Sequence, residues 1–351
     1  MVTIFRRAFV FLLVLAVGLS AVWAKKESPP VGLVAVSGGD VVVLADPAFG
    51  NTRSIQTGPV AWLFPAPGGT LFAPDLVHGK TTVIDLRTMS ARDAIDGVTM
   101  PHFGDFPDRY VVLGKRLLVV SYPERALMGS FEVRIDNPWQ VAVVADNTVL
   151  LVLERSPEGD SGAVMTAVNL SEGRVVYRRP LAGDVRHFAL SPKLGMVALA
   201  DAGSGQVLLA DPATLTPRLA YFVNGKPVDL VFADGGTTLV VAVAREDGGG
   251  ELAVWKIKMD KKKGLQRKQE RTVSLAGLPI RIAVSPDGRD VAAGLATAEL
   301  QIVRVESLEI LAIAMLPAAP RDVVWCDPSM EGPTLPDWSD DDEPQLNLGG
   351  S

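Results

Sequence analysis

The sequence is short of the residues that staple small exported domains together or build metal sites. Its 351 residues include one cysteine, Cys326, so no internal disulfide can stabilise it. Only three histidines are present, His78, His102 and His187, and they form neither an HxH nor an HExxH pattern. No metal site and no cofactor are therefore expected. Cys-x-x-Cys-His is missing as well, so a haem- or quinone-assisted dehydrogenase role would need a separate cofactor-bearing partner. The glycine clusters Gly203-Ser204-Gly205 and Gly248-Gly249-Gly250 precede neither a helical pattern nor Lys-Ser/Thr, which excludes a phosphate loop and leaves hairpin turns. Ser161-Gly162 stands in a polar loop without a matching His and Asp, so its likeness to a serine-protease segment is a chance match.

What is abundant points elsewhere. Hydrophobic residues make up 48% of the chain, enough for a large core, and 33 Gly with 25 Pro imply frequent turns rather than long helices. Residues 1–24 have the order of a secretory signal: Arg6 and Arg7, an apolar run from Ala8 to Leu19, and Val22-Trp23-Ala24 before Lys25. Phe5 stands where a twin-arginine signal carries a polar residue, which favours the general secretion route. Loss of that segment leaves 32 basic against 40 acidic residues, a net charge of −8, which argues against nucleic acid as a partner. The expectation is a periplasmic or secreted protein, a monomer with no membrane span once the signal is cleaved.

After a linker at 25–30, the chain repeats with a period of 40–50 residues, the range of propeller blades. The clearest copy runs from Pro279: Ile280 to Val284 alternates, Ser285-Pro286-Asp287-Gly288 turns, and strands follow at Val291 to Gly294, Glu299 to Val305 and Ile310 to Met315. Turn anchors at Gly68, Asp146, Pro192, Asp234, Pro286 and Pro328 lie 78, 46, 42, 52 and 42 residues apart. The long interval holds two blades, the second degenerate, with strands at Tyr110 to Leu113, Arg116 to Val120 and Ser130 to Ile135. Val31 to Gln56 supplies three strands of a blade lacking its first, and Pro320 to Trp325 supplies a first strand with no blade of its own. Joined, they complete blade one and close the ring. The predicted fold is all-β: a seven-bladed β-propeller over 31–326, closed by a C-terminal strand pairing into the first blade, with an acidic disordered tail at 327–351.

The repeat resembles the bacterial exported YVTN-type propeller family, within the lactonase-like superfamily. Ser285-Pro286-Asp287-Gly288, Thr81 to Thr88 and Leu208 to Leu215 carry the resemblance, although no copy contains Tyr-Val-Thr-Asn itself. It implies a rigid disc whose loops and axial channel do the work.

Two sets of residues are candidates for that work. Val185-Arg186-His187 is similar to the Pro-Arg-His segment of lactonase-like propellers, where a His base and an Arg for the oxyanion would serve hydrolysis. The alternative is a His filling an inter-blade gap and an Arg paired with a carboxylate, since neighbours on a strand face opposite sides. The second set is a basic hairpin arm between Lys256 and Arg271, with Lys261, Lys262, Lys263, Arg267 and Lys268 as the expected contacts for an anionic ligand or an envelope protein. The expected function is a non-catalytic protein- or ligand-binding scaffold in the cell envelope, with a lactonase-like hydrolase as the alternative.

Overall fold

The computed structural model describes residues 31–96, 100–103, 108–113, 116–135, 137–144, 148–155, 162–260, 262 and 264–331. The expected signal segment, the linker, residues 332–351 of the tail, Lys261 and Lys263 lie outside the described residues. Asp327 and Ser329, at the start of that tail, form a turn in which the Asp327 carboxylate accepts the Ser329 N–H at 2.9 Å.

Seven antiparallel sheets, each of four strands, follow one another along the chain. Blade four is typical, with strands Pro138–Val144, Val149–Arg155, Ala163–Asn169 and Arg174–Leu181 in order from the inside out. Blade five runs Val185–Ser191, Met196–Asp201, Gln206–Ala210 and Pro217–Phe222. Blade six runs Lys226–Ala233, Thr238–Ala244, Gly250–Asp260 and Gly264–Leu275, and blade seven Pro279–Val284, Asp290–Leu295, Glu299–Arg304 and Ile310–Met315. This is a seven-bladed β-propeller. Blade one is composite: Asp322–Cys326 pairs with Leu33–Gly38, followed by Val41–Ala45 and Thr52–Gln56. The seam runs from Leu33 opposite Cys326 to Ser37 opposite Asp322, as the orphan strands predict. Gly32 is required beside it, because at φ 95° a Cβ would lie 2.5 Å from the Cys326 carbonyl oxygen.

The sequence pattern explains the layering. Second strands such as Met196–Asp201 and Asp290–Leu295 are buried at every position, because blades pack against both of their faces. Fourth strands such as Pro217–Phe222 are largely exposed. The core divides into seven apolar clusters among the described residues, each joining two neighbouring blades. Turns are closed by side chains at fixed places in the repeat: Asp85 and Asp211 each accept two backbone N–H groups after a third strand. The Ser285 hydroxyl accepts the Arg289 and Asp290 N–H groups in the Ser-Pro-Asp-Gly turn.

Blades two and three depart from the expected strands. The inner strand of blade two is reduced to Phe64–Ala66 and an isolated bridge from Val60 to Asp75. Pro59, Pro65 and Pro67 remove ladder donors there. Blade three keeps only Pro101–His102 inside, then Arg109–Leu113, Leu117–Ser121 and Leu127–Phe131. The last of these replaces the expected Ser130 to Ile135, because a turn in which Arg125 N–H reaches the Ser121 carbonyl returns the chain to pairing at Leu127. Val133 and Ile135 are nevertheless buried against blade four.

Candidate functional site in the axial channel

The inner strands of blades four to seven share a local irregularity. Each carries Pro138, Val185, Pro227 or Pro279 at its first or second position, and the pairing register then skips one residue: Trp139, Arg186, Val228 or Ile280. The next residue lines a cavity at the axis, giving Gln140, His187, Asp229 and Arg281. Asp322, two residues after Pro320, and Trp62, two after Val60, line the same cavity in blades one and two. Its volume is about 550 Å³, and all seven blades contribute to its wall.

Three of these side chains staple neighbouring blades. Gln140 donates to the Phe188 carbonyl at 2.7 Å and accepts the Phe188 N–H at 2.9 Å. Asp229 accepts the Leu230 N–H at 2.8 Å and the Ile282 N–H of blade seven at 2.9 Å. Asp322 accepts the Leu63 N–H of blade two at 2.8 Å and the Val323 N–H at 3.0 Å. Buried carboxylates are tolerated on such terms, since each oxygen receives a fixed donor.

Arg281 joins the arc. Its Nη1 donates to His187 Nε2, its Nε lies 3.8 Å from Asp322 Oδ1, and His187 Nδ1 is 3.7 Å from Asp229 Oδ1. Burial and the guanidinium groups of Arg281, Arg155 and Arg186 hold the His187 imidazole well below its usual range, so it is neutral. Burial pushes Asp322 up to about 6, against the attraction of Arg281, and pushes Asp229 up as well. The wall also carries apolar side chains: Trp62 meets Trp139 edge to face at 6.2 Å, Phe64, Met100 and Phe103 line it, and Trp139 lies against the arc, 6.2 Å from the His187 ring and 5.9 Å from the Arg281 guanidinium. The Arg155 guanidinium covers the Trp139 ring at 3.8 Å.

The two expected candidates of the first set separate here. His187 is on the cavity wall; Arg186, the skipped residue, is half exposed and pairs with Asp184 at 2.6 Å. The cation beside His187 is Arg281, 94 residues away in sequence. In the basic arm, Lys262 is exposed and its N–H caps Asp260 at 2.8 Å. Arg267 instead lies over the Tyr221 and Trp255 rings, 4.4 and 5.3 Å from their centroids, and pairs with Glu270 at 2.9 Å. Lys268 bonds Gln266 at 2.8 Å. Sequence reading missed Gln140, Asp229, Arg281 and Asp322. Their signal was position, two residues after the proline that opens a copy.

No protein-family model matches the chain, and no curated protein does. Solved structures match its fold. A chain of Kuenenia stuttgartiensis hydrazine synthase is 14% identical, with a TM-score of 0.60, over 77% of this chain and 90% of that one. The Myceliophteria thermophila Cps50 (Swd1) β-propeller domain is 13% identical, with a TM-score of 0.62, over 79% and 92%. A chain of the mitotic checkpoint complex is 13% identical, with a TM-score of 0.60, over 78% and 84%. What they share with this chain is the propeller.

Proposed function

We propose that this protein is an exported, YVTN-type propeller, periplasmic or secreted, that serves as a non-catalytic binding scaffold. The observation that carries the reading is that His187, the candidate base on the channel wall, is neutral and bonded to Arg281. Gln140, Asp229 and Asp322 each hold an adjacent blade by a hydrogen bond to its backbone. A water-activating base needs a pKa near the working pH, and His187 is pushed far below it, which counts against the lactonase-like alternative. Function on such a fold lies in the sites and surfaces its loops and channel present. One similar structure is a chain of a multi-protein assembly, the mitotic checkpoint complex. The partner class is an envelope protein or an anionic ligand met first by the arm around Lys262. No described helix is long and apolar enough to cross a membrane.

Fractionation of cells followed by capture from native envelope extract tests this reading. The full chain is expected in the soluble envelope fraction, retaining a saturable partner that heat-denatured protein does not retain. Recovery in the cytosol, or equal retention by denatured protein, would overturn it.

A further inference from the structure

On the channel wall Arg281 is 13% exposed and hydrogen-bonds only His187, through Nη1; its Nε and Nη2 have no hydrogen-bond partner among the described residues. A nearly buried guanidinium with free donors facing a cavity is built to take a carboxylate. Beside it, Asp322 is also 13% exposed, and each of its oxygens accepts one backbone N–H, leaving acceptor capacity for an incoming donor. The two groups stand 3.8 Å apart, too far for a hydrogen bond and close enough for one small head group to engage both. Trp62, Phe64, Met100 and Phe103 line the same channel, where the inner strands of blades two and three are short.

We propose that the channel is a receptor for a small zwitterion with an apolar body, of the chemical class of an aromatic α-amino acid, its carboxylate on Arg281 and its ammonium on Asp322. The assignment names the ligand class of the binding reading above and rests on it. A lone anion on Arg281 would meet the nearby carboxylates of Asp229 and Asp322, and a lone cation on Asp322 would meet Arg281. A zwitterion opposes each charge with its partner. Burial, with Arg281, Arg155 and Arg186 adding, holds His187 down, and burial holds Asp322 up against the attraction of Arg281. Asp184 at the rim is already paired with Arg186. The cavity of about 550 Å³ lies within the range of roughly 300–1,000 Å³ typical of small-molecule sites.

Three probes of one shape separate the possibilities by calorimetry on the full chain: L-phenylalanine, 3-phenylpropanoate and phenethylamine. Phenylalanine is expected to bind roughly tenfold or more tighter than either single-charge probe, the worth of one charge-assisted hydrogen bond. Arg281→Gln should weaken phenylalanine and phenylpropanoate and spare phenethylamine; Asp322→Asn should weaken phenylalanine and phenethylamine and spare phenylpropanoate. Circular dichroism reports whether each variant folds, and the comparison of probes on the unaltered protein decides without them. Equal binding of a single-charge probe, or no binding of any probe at millimolar concentration, would overturn the assignment. Should partner capture from envelope extract persist in that case, the ligand class fails and the scaffold reading stands.

Discussion

Removal of the closing strand should cost the protein most of its stability. Truncation before Pro320 takes away Asp322–Cys326, whose Val323, Trp325 and Cys326 side chains are 3%, 8% and 1% exposed. At about 2 kcal/mol for each buried side chain, packing alone contributes about 6 kcal/mol. The Trp325 indole N–H, donating to the Val31 carbonyl at 2.8 Å, and the Asp322 staple to Leu63 are lost with them. With about 1 kcal/mol for each of those two hydrogen bonds the total is about 8 kcal/mol, comparable with the whole stability of a typical domain, about 5–15 kcal/mol. The truncation also uncovers Leu33–Gly38, which is buried at all six positions, as an apolar edge that templates aggregation. Size-exclusion chromatography with light scattering and a urea titration measure both effects. The truncated chain should aggregate or unfold at a far lower urea midpoint, while removal of residues 332–351 alone should leave the midpoint unchanged. A monomeric truncation with an unaltered midpoint would refute the seam.

Two further outcomes follow from the charged groups. Asp322 has a folded pKa raised to about 6 from 3.8, so the folded state holds the extra proton and the group adds stability as pH falls through 6. His102, lowered from 6.5 to about 4 by burial, acts in the opposite sense, its contribution being lost as pH falls below 6.5. Asp322→Asn removes only the first effect, so from pH 7 to pH 5 the parent should gain about 1 kcal/mol of stability relative to the variant; an unchanged difference between their urea midpoints at the two pH values would contradict it. Replacing Lys261, Lys262 and Lys263 with Ser should reduce retention on anionic vesicles and heparin at low salt, with little difference left at moderate salt because exposed charges are screened over about 8 Å. Salt-independent, equal retention of variant and parent would return the arm to a solvated surface.

The ring and its seam were legible because they are written in local pattern. Pro320-Arg321-Asp322-Val323-Val324-Trp325 repeats the first-strand motif and has nowhere to pair except blade one. Blade three was harder, since its inner strand is two residues long and leaves almost no alternation to read. The channel arc was hidden for a different reason. The position two residues after the opening proline or valine carries Asp322, Trp62, Gln140, His187, Asp229 and Arg281, which share a place and no chemistry. Only the closed ring brings Arg281 to His187. Arg186 was the natural partner by adjacency, but the skipped register turns it toward Asp184. Arg267 counted as a free cation in sequence, and its stacking on Tyr221 depends on the neighbouring blade.

The measurement that bears most directly on the proposed scaffold reading is lactone hydrolysis by the purified protein, alongside Arg186→Ala and His187→Ala. The neutral, Arg281-bound His187 predicts no hydrolysis above the uncatalysed rate in any of the three. Saturable hydrolysis by the parent, abolished in both variants, would contradict the account and make the channel an active site.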